Sequence, residues 1–279
     1  MILVTGAAGN VGGALTRALV AAGVPVRALA RSAEQDRFPP GTEVAAGDLN
    51  DPASLRPALD GADGVFLLPG YADMSGVLAE ASRAGVSRLA QLSGLSAGSG
   101  DMSNAVTAYM ITSEQAARES GLAWTIVRPA MLASNALQWV SQLRSGDVVR
   151  APFARVRAAV TDPADVADVA DVAALALTAP GHESRVYELS GPEPLTPADR
   201  VAILGQVLHR DLRFEAQTDE DARTEMSETT PAGYVDAFFD FYADGSLDES
   251  KVLPAVPELT GRPPRTFSQW ATAHAGAFR

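Results

Sequence analysis

The sequence predicts an α/β fold built on a doubly wound parallel sheet. Apolar strand-like runs alternate with amphipathic helix-like segments over the first 130 residues, a rhythm typical of parallel strands joined by right-handed helical crossovers. The alternation begins with a buried-strand run at 2–5, glycines at three-residue steps, and a helical pattern from Ala14. A strand, a glycine turn and a helix in this order are typical of the Rossmann type of sheet.

The glycine turn predicts a dinucleotide-binding site. Gly6 permits the tight turn, Gly9 lets the backbone approach a pyrophosphate, and Gly12 lets the helix pack close to the strand. The free N–H groups and the dipole of the helix start then face the anion. The residues expected to contact the cofactor in this segment are Thr5, Gly6, Gly9, Asn10, Val11 and Gly12.

The alternation of strands and helices continues through the first half. The run at 65–68 is wholly apolar, as expected of a central parallel strand covered on both faces. Gly85 and Gly121 each follow a helical segment, where glycine commonly ends a helix. The predicted strands are 24–30, 43–46, 65–68, 88–93 and 124–127, and the predicted helices begin at 51 and span 75–84 and 104–120.

Beyond residue 130 the alternation loosens, which favours a second, smaller part of the fold. The acidic, polar stretch 218–230 is expected to be a mobile surface segment. We expect residues 1–150 to form mainly the dinucleotide-binding core, and residues 151–279 to form mainly a C-terminal substrate lobe with some elements returning to the core. The predicted elements here are helices at 164–177, 196–208 and 234–242, a strand at 186–189 and a short strand around Phe214.

Composition excludes several classes of function. The net charge of -12 and the isoelectric point of about 4.7 argue against nucleic-acid binding and against docking on anionic lipid. The chain has no cysteine, and its histidines, His182, His209 and His274, lie far apart, so we expect no metal site. The first strand begins at residue 2 and no apolar stretch reaches membrane-spanning length, so we expect a soluble cytoplasmic protein. We expect this protein to be a monomer or a homodimer.

The end of the second predicted strand favours NADP(H) over NAD(H). NAD-selective folds place an acid there to bind the ribose 2′-hydroxyl. This chain has Arg31 and Ser32, which suit a 2′-phosphate. After the third strand, Asp48 and Leu49 are expected at the adenine edge, where Asp48 either hydrogen-bonds the base or caps the next turn.

Several of these segments together resemble the short-chain dehydrogenase/reductases. They are Thr5-Gly6-x-x-Gly9-x-x-Gly12, Arg31, Gly47-Asp48-Leu49, Leu92-Ser93, Trp124-Thr125-Ile126-Val127-Arg128-Pro129, Asp165-Val166-Ala167 and Tyr187-Glu188-Leu189-Ser190-Gly191-Pro192. The pattern is similar to the atypical NmrA-like branch, which includes triphenylmethane-dye and quinone reductases. The resemblance implies that Pro129 and Ala130 border the nicotinamide. Leu68, Pro69 and Met110 are further candidates for cofactor contact.

The chain departs from that family at its acid–base pair. Catalytic members of the wider family use Tyr-x-x-x-Lys on the helix after the fifth strand. In this chain those two positions fall on Val106 and Met110. Tyr109 is adjacent, but a helix turns about 100° per residue, so it should face elsewhere. Ser93 matches the family's catalytic serine, or is a strand-end serine that bonds backbone. Tyr109 and Ser93 are therefore the candidate catalytic residues.

Without the Tyr/Lys pair, hydride delivery favours substrates that need no strong acid. Cationic dyes, quinones and phenolic aromatic ketones meet this condition, and all are flat and conjugated. Asn135 and Trp139, with Tyr234 and Phe238 on the aromatic helix, are the candidate substrate residues. The alternative is that Tyr234, Phe238 and Phe241, which share one helical face, are core residues.

The sequence hypothesis is thus an NADPH-dependent reductase of a carbonyl or quinone on a small polycyclic or phenolic aromatic substrate. The proton would come from the substrate or from water. Ketoreductases of antibiotic pathways are a specific version of this hypothesis. The alternative is a non-catalytic NmrA-like regulator that senses NAD(P), since such a protein would also lack the tyrosine and lysine.

Overall fold

The computed structural model describes residues 1–31, 35–163 and 168–279, and the chain forms two compact units. Unit 1 comprises Met1–Ala97, Tyr109–Pro129 and Pro163–Leu189. Unit 2 comprises Gly98–Ala108, Ala130–Asp162 and Ser190–Arg279. Residues 164–167 of the predicted 164–177 helix lie outside the described residues; its described part begins at Asp168.

Unit 1 holds a seven-stranded parallel sheet, which confirms the predicted fold class. Within the described chain, the strands of the two units are β1 (Ile2–Val4), β2 (Val26–Ala30), β3 (Thr42–Ala46), β4 (Gly64–Leu67), β5 (Arg88–Leu92), β6 (Ala123–Pro129), β7 (Val148–Ala151), β8 (Arg185–Leu189) and β9 (Arg213–Ala216). Strands β7 and β9 form a separate sheet. The order across the sheet is β3-β2-β1-β4-β5-β6-β8. The strand order therefore reverses between β1 and β4, where ligands of such sheets bind.

Helices cover both faces of this sheet. In the described residues, the helices of the two units are α1 (Asn10–Ala21), α2 (Arg56–Leu59), α3 (Met74–Arg83), α4 (Ala105–Glu119), α5 (Val140–Ser145), α6 (Asp168–Thr178), α7 (Pro197–Leu208), α8 (Asp219–Ser227), α9 (Ala232–Tyr242), α10 (Ala255–Thr260) and α11 (Phe267–Ala273). Helices α1 and α6 pack together on one face. Residues of α2, α3 and α4 share a core with Leu3 and Leu67 on the other. None of the described helices is long and apolar enough to cross a membrane.

Unit 2 is built around β7, β9 and the helices that pack on them. The two strands are parallel, with Val148 opposite Arg213. The core of the unit contains two fully buried tryptophans, Trp139 and Trp270, and Phe267 stacks on Trp270 at 5.4 Å between ring centroids. Large aromatic side chains bury enough apolar area to hold a sheet this small.

The acidic segment 218–230 was predicted as mobile, and this prediction is wrong because most of it is α8. Thr218 caps the helix by accepting a hydrogen bond from the Asp221 backbone N–H at 3.1 Å. Three acidic residues fill the first turn, where carboxylates interact favourably with the helix dipole. Ala222 anchors the helix among Val235 and Phe239. The prediction relied on the acidic composition and overlooked the Thr218 cap and the acidic first turn, which both favour a helix.

The aromatic helix forms as predicted, but a different face of it is buried. Val235, Phe239 and Phe241 are buried, whereas Tyr234 is exposed and Phe238 is half-buried. The spacing of Tyr234, Phe238 and Phe241 does place them on one side of a helix. The adjoining stripe, which begins at Val235, supplies the core contacts instead.

The close approach of α1 to β1 makes a sharp prediction about Gly12. A Cβ atom there would lie 2.8 Å from the Thr5 carbonyl oxygen and closer still to that of Gly6. We expect Gly12→Ala to cost about 1–3 kcal/mol through overpacking, measured as a loss of unfolding free energy in urea. Gly233→Ala is the matched control, because its Cβ would meet nothing nearer than 3.8 Å. That variant should be neutral or gain up to about 1 kcal/mol in a helix. Equal stability of the two variants would contradict the prediction.

Candidate cofactor and substrate sites

The glycine turn lies between the end of β1 and the start of α1. Gly6 has a φ of +60° and accepts a hydrogen bond from the Gly9 backbone N–H at 2.8 Å. The Thr5 hydroxyl accepts a hydrogen bond from the Leu68 backbone N–H at 3.1 Å, which joins the carboxyl ends of β1 and β4. The Leu68 side chain lies over Gly6, where a Cβ would be 3.2 Å from its Cγ. These contacts shape a tight backbone cradle.

The start of α1 is open to an anion. Gly9 is its N-cap residue and has no side chain to cap the helix, and the first turn contains no acidic residue. Asn10 is exposed and Val11 is buried. The first backbone N–H groups of a helix have no partner within it, so they are available to a pyrophosphate. The turn therefore fits a dinucleotide.

Three polar residues come together beyond strands β2, β3 and β4. Burial raises the pKa of Tyr71, the Asp48 carboxylate raises it further and the Arg31 guanidinium lowers it. Arg31 is exposed, as a residue that binds a 2′-phosphate should be before binding. The Asp48 carboxylate accepts hydrogen bonds from the Asn50 backbone at 2.9 Å and from its side chain at 3.1 Å. Asp48 thus performs the turn-capping role.

Other predicted cofactor residues occupy varied settings. The Leu49 side chain is buried in the core of unit 1, so only its backbone is available to a ligand. Pro69 is half-buried beyond β4. Pro129 ends β6 in unit 1, and Ala130 opens the next segment of unit 2 with 2% of its surface exposed. Ser32 lies outside the described residues. The cofactor roles of these positions stay predictions.

Ser93 is engaged by a buried carboxylate. Its hydroxyl donates a hydrogen bond to Glu114 Oε1 at 2.7 Å, and its backbone N–H binds the Val127 carbonyl at 2.8 Å. Arg128 donates to both Glu114 oxygens at 2.7 Å, and Arg118 adds a third cationic contact at 3.2 Å. Burial raises the pKa of Glu114, but the hydrogen bonds from Arg128 and Ser93 outweigh it and hold that pKa below its ordinary value.

Tyr109 and Met110 face different loops of unit 1. A Cβ at Gly70 would lie 3.3 Å from the Tyr109 ring, and a Cβ at Gly94 would lie 3.6 Å from the Met110 methyl group. Ser113 sits one turn after Tyr109, accepting from the Gly70 backbone at 3.0 Å and donating to the Tyr109 carbonyl at 2.8 Å. Tyr109, Gly70 and Ser113 line a cleft of about 450 Å³. Gly94 directly follows Ser93, so Met110 rather than Tyr109 lies toward the serine's strand.

Unit 2 contains a cavity of about 640 Å³. Three of the four predicted substrate residues line it, namely Asn135, Trp139 and Phe238. Tyr234 does not. Phe153, which sequence patterns did not single out, packs at 5.3 Å from Tyr242 between ring centroids, and both also line the cavity. The cavity has the size and aromatic lining typical of a small-molecule site.

Two arginines line the same cavity, and sequence reasoning missed both. Arg150 on β7 is half-exposed, with Asp221 at 3.8 Å and Glu225 at 3.6 Å. Arg200 on α7 is buried, and burial lowers its pKa to about 10. The one signal for Arg200 was its place beside Val201 and Leu204 on the apolar stripe of α7, where a cation is unexpected.

The chain belongs to the NAD(P)H-binding family, whose sequence pattern matches residues 6–180. It is 43% identical to the (4-alkanoyl-5-oxo-2,5-dihydrofuran-3-yl)methyl phosphate reductase of Streptomyces griseus, over 100% of this chain and 99% of that one. It is 36% identical to the NAD(P)H azoreductase of Xenophilus azovorans, over 100% and 99%.

The fold is also shared with solved structures. The Escherichia coli NADPH-dependent quinone oxidoreductase complexed with NADPH superposes with a TM-score of 0.78, at 24% identity over 98% of this chain and 99% of that one. These matches are consistent with the resemblance to the NmrA-like branch, and the chain is an NAD(P)H-dependent reductase.

The Glu114 network predicts a stability effect with a defined pH dependence. Glu114→Gln should cost about 3–5 kcal/mol of unfolding free energy at pH 7, because it removes the buried carboxylate of the half-buried Arg128 and leaves it the more exposed Glu188 at 3.3 Å. A carboxylate with a lowered pKa stabilises the fold above its unfolded pKa, near 4.5 for Glu, and this stability is lost as pH falls through the lower folded value.

Urea unfolding across pH checks this expectation. The difference between Glu114→Gln and the parent protein should shrink steadily below pH 4.5. Glu119→Gln is the control, since that exposed carboxylate accepts a hydrogen bond from Gln115 at 2.8 Å, and the variant should stay within about 0.5 kcal/mol of the parent protein. A pH-independent difference would contradict an ionised Glu114.

Arg31 predicts the choice of cofactor. If its guanidinium binds the 2′-phosphate, Arg31→Gln should raise the KM for NADPH by roughly tenfold or more, the value of one charge-assisted hydrogen bond. The KM for NADH should not change. Arg185→Gln on β8 removes an exposed cation from the same unit and serves as control. An equal rise for both cofactors would remove Arg31 from 2′-phosphate recognition.

Proposed function

We propose that this reductase uses NADPH to reduce conjugated, electron-poor carbonyl compounds or quinones, including those of polycyclic and phenolic aromatics. One observation carries the proposal. Ser93 is bound to Glu114, Met110 lies toward Gly94, and Tyr109 is turned toward Gly70. The resemblance places the family's Tyr/Lys acid pair at Val106 and Met110, and these contacts support a site without that pair.

The absence of that pair restricts the chemistry. NADPH supplies a hydride, and a simple ketone that receives it becomes an alkoxide in need of a strong acid. A quinone instead becomes a delocalised phenolate, and a phenolic ketone carries its own acidic hydroxyl. The proton can then come from the substrate or from water. The protein's contribution is positioning and exclusion of solvent.

The two units supply the two parts of binding. In unit 1, the glycine cradle and the open start of α1 accept the pyrophosphate, and Arg31 favours the 2′-phosphate. In unit 2, Phe153, Phe238 and Tyr242 present aromatic surface to a flat substrate. Asn135 is exposed on the cavity wall and is suited to orient a carbonyl oxygen.

A second candidate is favoured by the relative from Streptomyces griseus, since identity of 43% extends over the full chain. A dihydrofuranone whose ring double bond carries both an alkanoyl group and the ring carbonyl on one of its carbons accepts hydride at the other, the β-carbon. The electron pair then passes into an enolate spread over both carbonyls. Such an anion needs no strong acid, so it obeys the same constraint as a quinone.

The rate of NADPH oxidation, measured with each compound of a substrate panel, tests the proposal. Quinones, azo and triarylmethane dyes, hydroxylated aromatic ketones and acyl butenolides would be compared with simple aliphatic ketones, which should not react. Tyr109→Phe should retain kcat within about twofold, whereas loss of a true acid costs about 10²–10⁴-fold. Tyr187→Phe on β8 is the control for loss of a phenol.

Two outcomes would overturn the proposal. A loss of two orders of magnitude in Tyr109→Phe alone would make Tyr109 the proton donor. Cofactor binding with no turnover of any substrate in the panel would favour the sensing regulator.

A further inference from the structure

Unit 2 buries a cation whose hydrogen bonding is incomplete. Arg200 lies in the first turn of α7, with 5% of its surface exposed. Its Nε atom has no hydrogen-bond partner among the described residues, and its Nη1 atom contacts only the weakly accepting Met131 sulfur, at 3.3 Å. A guanidinium group has five N–H donors and is costly to bury without acceptors.

A second orphaned donor lies beside it. Trp139 is 1% exposed, and its indole Nε1 also has no acceptor in the described part of the chain. The Arg200 guanidinium carbon is 5.4 Å from the centre of the Trp139 ring. Both residues line the 640 Å³ cavity. Since buried donors in native proteins are nearly always satisfied, two together indicate a missing acceptor.

The neighbouring acid does not accept a hydrogen bond from Arg200. Glu249 is buried and accepts the Tyr242 hydroxyl at 3.0 Å. Within the described chain, no carboxylate oxygen lies within 4.0 Å of an Arg200 nitrogen. Burial raises the pKa of Glu249, and the charge of Arg200 offsets part of this rise. The acid therefore interacts with Arg200 through charge alone and leaves the Arg200 Nε donor without an acceptor among the described residues.

Arg150 provides the contrast within the same cavity. It is half-exposed, and Asp221 and Glu225 lie within 3.8 Å of it. Its charge is therefore balanced by its own unit and screened by solvent. Arg200 differs on both points, so it is the cavity cation that gains from a ligand.

We propose that Arg200 and Trp139 bind an oxyanion carried by the substrate, and that this oxyanion is a phosphate monoester. A phosphate offers several acceptor oxygens, enough for the guanidinium fork and the indole N–H together, and its charge compensates the buried cation. This inference rests on the proposed function in so far as the cavity holds the substrate. It adds the substrate's charged group and the residue that selects it.

The first experiment measures binding alone. Inorganic phosphate would be titrated into the full chain by calorimetry, with saturating NADP⁺ present so that the glycine turn is already filled. Arg200→Met should weaken binding at least about tenfold, and Arg200→Lys, which keeps the charge without the fork, by less. Arg213→Gln, an exposed cation on β9, should leave the affinity unchanged.

Stability separates loss of binding from loss of folding. Without phosphate, Arg200→Met should unfold at the same or a higher temperature than the parent protein, because replacing an uncompensated buried charge by an apolar side chain is often stabilising. Only the parent protein and the Arg213→Gln control should gain further thermal stability when phosphate is added.

The second experiment measures selectivity. An acyl butenolide would be supplied in two forms, one with a phosphomethyl arm and one with a hydroxymethyl arm. The parent enzyme should show a KM at least about tenfold lower for the phosphate form, with similar kcat, and Arg200→Met should abolish this difference. A carboxymethyl form distinguishes phosphate from carboxylate recognition.

The outcomes separate the two proposals. If neither form nor any other compound of the substrate panel is reduced but phosphate binding still depends on Arg200, the proposed function fails and the oxyanion site stands. If both forms are reduced with equal KM, or if Arg200→Met binds phosphate as the parent protein does, the oxyanion site is overturned. A preference for the carboxymethyl form also overturns it.

Discussion

The approach of α1 to the end of β1 is the constraint on which the cofactor side of the structure depends. Gly12 lies so close to the carbonyls of Gly6 and Thr5 that the helix start is held over the carboxyl end of the sheet. This contact aims the first N–H groups of α1 at the point where the strand order reverses. The Thr5 hydroxyl extends the same arrangement to β4 by fixing the backbone of Leu68.

The buried carboxylate of Glu114 has a comparable effect on the other half of the sheet. It joins α4 to the ends of β5 and β6, through Ser93 and Arg128. A serine hydroxyl that donates to a carboxylate is held in place and is poorly suited to give its proton to a reaction intermediate. At Ser93, a candidate catalytic residue, unit 1 therefore has a polar contact that stabilises its structure.

Sequence predicted well where local chemistry and packing agree. The glycine spacing, the apolar run at β4 and the Tyr234–Tyr242 pattern all led to elements that the structure contains. The failures have physical causes. The buried face of α9 is selected by Phe153, which lies far away in sequence, and by Ala222 on the preceding helix. Folding alone brings Ser93 into contact with Glu114, and it likewise brings Arg200 beside Trp139. The periodicity of a sequence does not show whether a buried hydrogen-bond donor will find an acceptor in the folded protein.

The chain alternates between its two units several times, and this affects how the protein can be made and divided. Strand β6 pairs with β8, and unit 2 contributes the intervening residues 130–162. Neither unit is one continuous stretch, so a truncation near residue 150 would remove β8 from the sheet edge and β9 from β7. During synthesis, the early strands cannot pair with partners that are translated much later. Contacts between residues that are far apart in sequence also slow folding. An isolated cofactor-binding fragment would need a circular permutation or a new linker rather than a stop codon.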